Sequence, residues 1–216
     1  MSDLNRRAAL AHRTALKGSN DGAAIAEKPF EGKLILRGDR TRIGPAASKV
    51  LGAALPGKVN ETAAGARAAA QWLSPDEWLL VTAPGAEAAL VFDLTPALTG
   101  QHHQIADVTD YYTTIELTGT HARDMLMKIA TVDFHPRVFK TGMGMTTNLG
   151  RANPFLRQTR DDAGPGGPAF DIIIRISMAD YLWCLLAEAG HEWGLPEQPP
   201  KGLVKLHLPH FETGGP

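Results

Sequence analysis

The chain has little cysteine, no long hydrophobic run and no excess of charge of either sign. Its 216 residues include one cysteine, Cys184, so an intramolecular disulfide and a cysteine-based zinc site are both excluded. No stretch approaches the roughly 18 consecutive apolar residues of a membrane-spanning helix. The 22 basic and 23 acidic residues give a net charge of −1, which offers nucleic acid no general attraction. These features predict a cytoplasmic protein without a nucleic-acid or membrane partner.

The remaining composition is that of an ordinary globular protein, with 44% hydrophobic and 21% charged residues. A chain of this length buries enough surface to fold without disulfides or a metal. Strand and helix signals are mixed without strict alternation, which predicts the α+β class, with a largely antiparallel sheet and packed helices. We expect an N-terminal arm over residues 1–29, one domain over residues 30–190 and an extended tail over residues 191–216.

Local patterns predict the elements of this domain. Alternating β-branched and aromatic residues indicate strands, and apolar residues three and four apart indicate helices. Ser74 to Glu77 should form the turn of a hairpin. Pro45 is expected at the start of a helix, where its missing N–H has no partner to lose. The predicted strands are 33–37, 108–117, 151–157 and 170–176, and the predicted helices are 45–55, 121–130 and 177–190, the last capped by Ser177.

Gly142-x-Gly144 is the glycine pattern closest to a nucleotide-binding loop. A dinucleotide fingerprint needs a third small residue three positions after the second glycine, following a strand and opening a helix. Thr147 occupies that position, and the residues after it indicate a loop. The pattern therefore predicts a turn with positive φ angles or close backbone packing.

Other candidates for chemistry are equally weak. His207, His210 and Glu212 have the composition of a zinc site, but they lie in a proline-containing tail with no helix to fix their spacing. Ser177 stands in no nucleophile elbow, and Cys184 is in the middle of a helix, where a thiol is more often inert. We therefore predict no catalytic, cofactor-binding or metal-binding residue in this chain.

The last predicted helix is apolar on both sides. One side includes Leu182 and Leu186 and should face the core. The other side includes Trp183, which a solvent-facing helix does not need, so either the chain's own tail or another protein should cover it. Tryptophan is enriched among interface anchors. Trp183, together with Trp193 in the tail, is accordingly predicted to contact a protein partner.

Residues 72–80, WLSPDEWLL, resemble the WLGPDEWLL signature of the gamma subunit of heterotetrameric sarcosine oxidase. Ser74 stands where that family usually has glycine. Looser similarity follows in the same order over LILRGD at 34–39, DVTDYYTTIEL at 107–117 and DIIIRISMADYLW at 171–183. The resemblance extends over about residues 30 to 190.

The resemblance implies a fold similar to the folate-binding domain of aminomethyltransferases. It also implies a cytoplasmic complex of alpha, beta, gamma and delta subunits that oxidatively demethylates sarcosine to glycine. That reaction yields hydrogen peroxide, with the one-carbon unit leaving as formaldehyde or methylene-tetrahydrofolate. FAD, FMN, NAD, zinc and tetrahydrofolate are implied for the complex, and none for this chain. The gamma subunit would be non-catalytic and packed against the alpha subunit.

Two alternatives stay open. The same fold would suit a free-standing folate-binding, aminomethyltransferase-like protein, which needs a cation for the folate carboxylates and a carboxylate near the reacting nitrogens. Arg151 and Asp107 are the candidates for these roles. The second alternative is a subunit of a related N-methyl amine oxidase, because the flavin subunit would select the substrate.

Overall fold

The computed structural model describes residues 6–160, 163 and 166–199, which form four layers. Two sheets pack face to face, and two helices cover the outer face of each sheet. The strands are β1 Leu16–Lys17, β2 Ala24–Lys28, β3 Gly32–Gly38, β4 Thr62–Ala64, β5 Ala69–Ser74, β6 Glu77–Thr82, β7 His103–Asp107, β8 Tyr112–Thr118, β9 Gly144–Thr146, β10 Phe155–Arg160 and β11 Ala169–Arg175. The helices are α1 Arg40–Leu51, α2 Glu87–Ala97, α3 Ala122–Ile129 and α4 Ile176–Ala189.

The two sheets are antiparallel throughout the described residues. The six-stranded sheet has the order β1-β2-β8-β11-β10-β9, and the five-stranded sheet has the order β4-β5-β6-β3-β7. Helices α1 and α2 cover the five-stranded sheet, and α3 and α4 cover the six-stranded sheet. The predicted α+β class with largely antiparallel pairing is confirmed. None of the described helices is long and apolar enough to cross a membrane.

The alternation of side chains along each strand separates two outer cores from an inner layer. In β3, Leu34 and Leu36 are buried against α1 and α2. Ile35 lies on the opposite side of the strand and packs between the sheets, in a small apolar cluster with Val81 and Ile173. Because successive side chains in a strand point to opposite faces, one sequence pattern supplies both layers.

Residues 6–29, the described part of the predicted arm, belong to the domain, so the prediction of an arm is wrong for them. β2 pairs with β8 from Ala24 opposite Thr118 to Lys28 opposite Thr114, and β1 pairs with β2. Leu16 and Ile25 are buried in the core beneath α3 and α4. The polar, alanine-rich composition conceals these strands, because they are short and bury few large side chains.

The start of the predicted extended tail is also packed against the domain. Residues His191–Trp193 form one turn of 3-10 helix, and Leu195 is buried in the core beside α3 and α4. The prediction of an extended tail is therefore wrong for residues 191–195. Residues 200–216 lie outside the described residues, and these include the candidate zinc ligands His207, His210 and Glu212.

Helix α1 begins earlier than its proline suggests. Asp39 is the N-cap, and its carboxylate accepts a hydrogen bond of 2.8 Å from the backbone N–H of Thr41. The helix therefore starts at Arg40 and carries Pro45 in its interior. The prediction of Pro45 as the first helical residue overlooked Asp39, which is among the most favourable N-cap residue types.

The remaining elements agree in kind with the prediction and differ in their bounds. The hairpin of β5 and β6, the helix α3 and the pairing of β10 with β11 are all present. The predicted strand 108–117 is a 3-10 turn at 109–111 followed by β8, and Ser177 lies inside α4 instead of capping it. Helix α2 and strand β7 were not predicted.

Candidate functional site

Helix α4 places Trp183 inside the molecule, so the prediction that Trp183 contacts a partner is wrong. The side chain is 1% exposed and belongs to the core between α4 and the six-stranded sheet. Helix α4 packs on β8 and β11 and also against α3, so more than one of its sides is enclosed. A residue enclosed by its own chain has no surface to offer a partner.

The chain's own N-terminal segment covers a further part of α4. The guanidinium group of Arg13 donates to both carboxylate oxygens of Asp180, at 2.7 and 3.0 Å, and lies 3.2 Å from the Cys184 sulfur. The hydrogen bonds from Arg13 hold the pKa of Asp180 below its usual value. Burial raises the pKa of the Cys184 thiol, which favours the protonated, weakly nucleophilic form. These groups form a structural contact between distant parts of the chain.

Trp193 packs against the domain that precedes it and remains partly exposed. Its ring stacks on His121 with centroids 4.8 Å apart, and the ammonium nitrogen of Lys128 lies 4.2 Å from the ring centroid. Such a cation–π contact fixes the ring on its own chain. The suggested contact between Trp193 and a partner stays a prediction.

The two motifs LILRGD and WLSPDEWLL meet at one cleft of about 680 Å³. Its lining includes Arg37, Asp39, Asp76 and the histidine pair His102 and His103. A hydrogen bond from the Ser74 hydroxyl lowers the pKa of Asp76, and hydrogen bonds from Thr41 lower that of Asp39. Both carboxyl groups therefore stay ionised and are already hydrogen-bonded within the chain, so neither is prepared to donate a proton in catalysis.

Asp107 and Arg151 lie on different parts of the fold. Asp107 ends β7 in the five-stranded sheet, and its carboxylate accepts a hydrogen bond of 2.9 Å from the backbone N–H of Thr109. Arg151 is exposed in a turn, and its own backbone N–H donates to the Tyr181 hydroxyl on α4. The structure therefore does not assemble these two candidates into a folate site. The described residues also contain no cluster of three or more histidine, cysteine or acidic side chains that could hold a metal ion.

The glycine pattern at residues 142–144 joins the two sheets. Gly142 has a φ angle of +86°, and the backbone N–H of Gly144 donates to Asn60 at 2.9 Å. A Cβ atom at Gly144 would come within 2.8 Å of Thr62 and 2.9 Å of Gln71. Gly142 therefore supplies the positive φ angle and Gly144 the close packing that the sequence predicted, and this arrangement does not fit a dinucleotide.

A cluster of charged groups lies between the sheets. Asp171, whose side chain is 1% exposed, accepts hydrogen bonds of 2.8 Å from both Lys28 and Arg157. Burial raises the pKa of Asp171, but these two cations outweigh it and hold the pKa below its usual value. Lys33 lies nearby, with its ammonium nitrogen 3.0 Å from the carbonyl oxygen of Glu31. Asp171, Lys28 and Arg157 all belong to the six-stranded sheet and pair with each other, whereas Lys33 belongs to the five-stranded sheet and contacts Glu31.

Helix α2 presents Phe92, the most exposed aromatic side chain of the described residues, and the sequence analysis did not single it out. Phe92 is 77% exposed, whereas Leu90 and Leu94 of the same helix are buried. Ala88 and Ala89 are exposed as well. Residues 87–97, EAALVFDLTPA, are apolar around most of the helix, and this pattern could have revealed a second buried face.

The family model of the sarcosine oxidase gamma subunit matches residues 37–192, which is more than half of the chain. The chain belongs to this family. The matched region contains the cleft, α2 and α4, and so includes both outer helix layers.

Two curated members of the gamma subunit family are similar over most of their length. The sarcosine oxidase subunit gamma of Arthrobacter sp. is 30% identical over 183 residues, covering 83% of this chain and 86% of the relative. That of Corynebacterium sp. strain U-96 is 30% identical over 199 residues, covering 89% and 93%.

Solved structures extend this likeness to the fold. A chain of the heterotetrameric sarcosine oxidase from Corynebacterium sp. U-96, in complex with pyrrole 2-carboxylate, matches with a TM-score of 0.78 and 27% identity. The match covers 89% of this chain and 98% of that one. The glycine cleavage system aminomethyltransferase T of Bartonella henselae matches with a TM-score of 0.56 at 16% identity, which shows a shared fold alone. The fold similarity predicted for this gamma subunit family member is confirmed.

Proposed function

We propose that this chain is the non-catalytic gamma subunit of a sarcosine oxidase complex that oxidatively demethylates sarcosine to glycine. The observation that carries the proposal is the match along 98% of a chain from a heterotetrameric sarcosine oxidase, together with family membership. In the proposed reaction, oxygen is reduced to hydrogen peroxide, and the one-carbon unit leaves as formaldehyde or as methylene-tetrahydrofolate.

The chemistry of this reaction is assigned to other subunits. Flavin performs amine oxidation, and protein supplies the position and environment of the flavin. We place FAD, FMN, NAD, zinc and tetrahydrofolate outside this chain. Support comes from its polar groups, because the charges between the sheets are paired with each other and Gly144 is committed to packing. What the chain contributes to the complex is a shaped surface.

The partners in this proposal are the alpha, beta and delta subunits, with alpha in direct contact. Trp193 is retained as a proposed contact residue because it is partly exposed next to a cationic side chain, Lys128. Trp183 is withdrawn, since the core encloses it. We further propose a cytoplasmic location for the complex, which a chain with a single cysteine suits.

Affinity purification of the tagged chain from its own host, grown on sarcosine, tests the proposal. The expected eluate is yellow, contains four different chains and consumes oxygen when sarcosine is added. Flavin absorbance and oxygen uptake report on the complex, and denaturing electrophoresis reports on its composition.

The untagged host supplies the matched control, and its eluate should be colourless and inactive. A tagged chain that elutes alone and colourless from cells with active sarcosine oxidase would contradict the proposal. Oxygen uptake with another N-methyl amine, but not with sarcosine, would instead favour the related N-methyl amine oxidase.

A further inference from the structure

A groove of about 360 Å³ lies beside helix α4, on a side that the described part of the chain leaves partly open. Its floor is a stripe of residues three and four positions apart on the helix, Tyr181, Cys184 and Leu185. The Tyr181 side chain is 37% exposed, whereas Leu182 and Leu186 of the same helix are buried in the core. The groove therefore has an apolar floor that the packing of α4 on its sheet does not cover.

The last described residues of the chain form a wall of this groove, which Glu197, Gln198 and Pro199 line. The guanidinium group of Arg13 holds this wall in place. It donates to the side-chain oxygen of Gln198 at 3.2 Å and to the carbonyl oxygen of Pro199 at 3.2 and 3.3 Å. Arg13 is itself fixed by its hydrogen bonds to Asp180 on α4. The chain therefore leaves the described structure at the edge of the groove, from an anchored position.

The sequence that follows Pro199 complements the groove in charge and in apolar character. Residues 201–208, KGLVKLHL, contain two lysines and no acidic residue. Their apolar members are Leu203, Val204, Leu206 and Leu208. The charged residues among the described lining of the groove are both acidic and exposed, Glu188 and Glu197. A basic, leucine-rich segment therefore suits this groove better than an acidic one does.

Reach and tethering favour this segment over a separate molecule as the occupant. An extended chain advances about 3.3 Å per residue, so Leu203 lies within about 13 Å of Pro199. Tyr181 and Leu185 are about 6 Å apart along the axis of α4, so the first leucine of the segment reaches the floor of the groove. A segment tethered by a short linker has an effective concentration on the order of millimolar, which exceeds that of a separate protein at micromolar concentration.

We propose that residues 201–208 of this chain bind in the groove beside α4. The leucines of the segment cover the apolar floor, and its lysines pair with Glu188 and Glu197 at the edge. The contact closes the side of α4 that the described residues leave partly open, so this side offers no surface to another subunit. The inference goes beyond the proposed function and does not depend on it, because it concerns the free chain.

Cys184 reports on whether the groove is covered. It is the single cysteine of the chain and belongs to the floor of the groove, so a maleimide labels one site there. The experiment compares the rate of labelling of the purified full chain with that of a shortened chain that ends at Pro199. The full chain should be labelled at least about tenfold more slowly, because the bound segment must open before the reagent reaches the thiol.

Two substitutions in the full chain separate binding of residues 201–208 from a general effect of the tail. Leu203→Asp places a charge against the apolar floor and should raise the labelling rate to nearly that of the shortened chain. Phe211→Asp makes the same kind of change beyond residues 201–208, so it is the matched control and should be labelled at the wild-type rate. Far-ultraviolet circular dichroism should be the same for both substituted chains, which shows that α4 is intact in each.

Other results overturn the inference and identify a different occupant. Equal labelling of the full and the shortened chain shows that the tail does not cover the groove, and equal rates for Leu203→Asp and Phe211→Asp show that residues 201–208 are not the contact. Labelling that slows as the protein concentration rises assigns the groove to a second copy of the chain. Labelling that slows only within the complete oxidase assigns it to another subunit. The proposed function is tested separately, by co-purification, and stands or fails independently of these rates.

Discussion

Lys33 allows a direct test of what it costs to bury a charge between the two sheets, because its ammonium group lies between them. The side chain is 1% exposed, and burial lowers its pKa from 10.5 to about 8. Glu31, with a carboxylate oxygen 3.9 Å from the ammonium nitrogen, offsets part of this effect. The folded state therefore binds the Lys33 proton less tightly than the unfolded state does.

The sign and size of the effect follow from this difference in pKa. The penalty for charging Lys33 is fully present below pH 8, and it disappears as the pH rises toward 10.5. A fall in pKa from 10.5 to about 8 corresponds to about 3 kcal/mol of unfolding free energy at neutral pH. Lys33→Met removes this penalty but loses the hydrogen bond to the Glu31 carbonyl, worth about 1 kcal/mol. The variant should thus be more stable by about 2 kcal/mol at pH 7.5.

Urea unfolding of the purified chain, followed by tryptophan fluorescence between pH 7.5 and 10.5, measures this effect. The advantage of Lys33→Met should shrink as the pH rises, because the wild-type amine loses its charge. Lys49→Met, at an exposed position of α1, is the matched control and should show no such dependence. A constant difference across this pH range would refute the reasoning about Lys33.

Three further variants test the core, the inter-sheet charges and the packing of β9. Trp183→Ala should lower the free energy of unfolding by about 3–5 kcal/mol in a urea titration, and a loss below about 1 kcal/mol would contradict its burial. Asp171→Asn should cost about 3–5 kcal/mol, because the buried Arg157 and the partly buried Lys28 lose their shared partner. The lowered pKa of Asp171 means that its stabilisation is present above the usual aspartate pKa and is lost as the pH falls through the folded value, which acid unfolding of both proteins would show. Gly144→Ala should cost about 1–3 kcal/mol in the same urea assay, whereas Gly44→Ala in α1, where a Cβ would meet only the Arg40 side chain at 3.7 Å, should gain about 1 kcal/mol.

Local patterns predicted those parts of the fold that depend on neighbouring residues. The turn between β5 and β6 has serine and proline where a hairpin turn favours them, and β10 and β11 both carry strong strand signals. The strand β2 was missed because its partner is distant, with Ala24 opposite Thr118. A short polar segment acquires its strand conformation from such a partner, and no local pattern records it.

The error at Trp183 has a related cause. Its helix is apolar on two sides, and the sequence leaves open whether the same chain or another covers the second side. The answer depends on α3 and on Arg13, which lies 167 residues from Asp180. The composition of the helix indicated that its second side would be covered. Only the three-dimensional structure shows that the covering groups belong to the same chain.

Helices α2 and α4 differ in how much of their apolar surface the fold buries. Both helices are apolar on more than one side, but α4 is enclosed by α3, the six-stranded sheet and the N-terminal segment. Helix α2 packs on β3, β7 and α1, and its side opposite Leu90 and Leu94 is exposed. Phe92 of α2 is accordingly 77% exposed, whereas Trp183 of α4 is 1% exposed. Enclosure by the rest of the fold, more than the apolar pattern of the helix itself, therefore decides whether an apolar side chain on the helix is exposed.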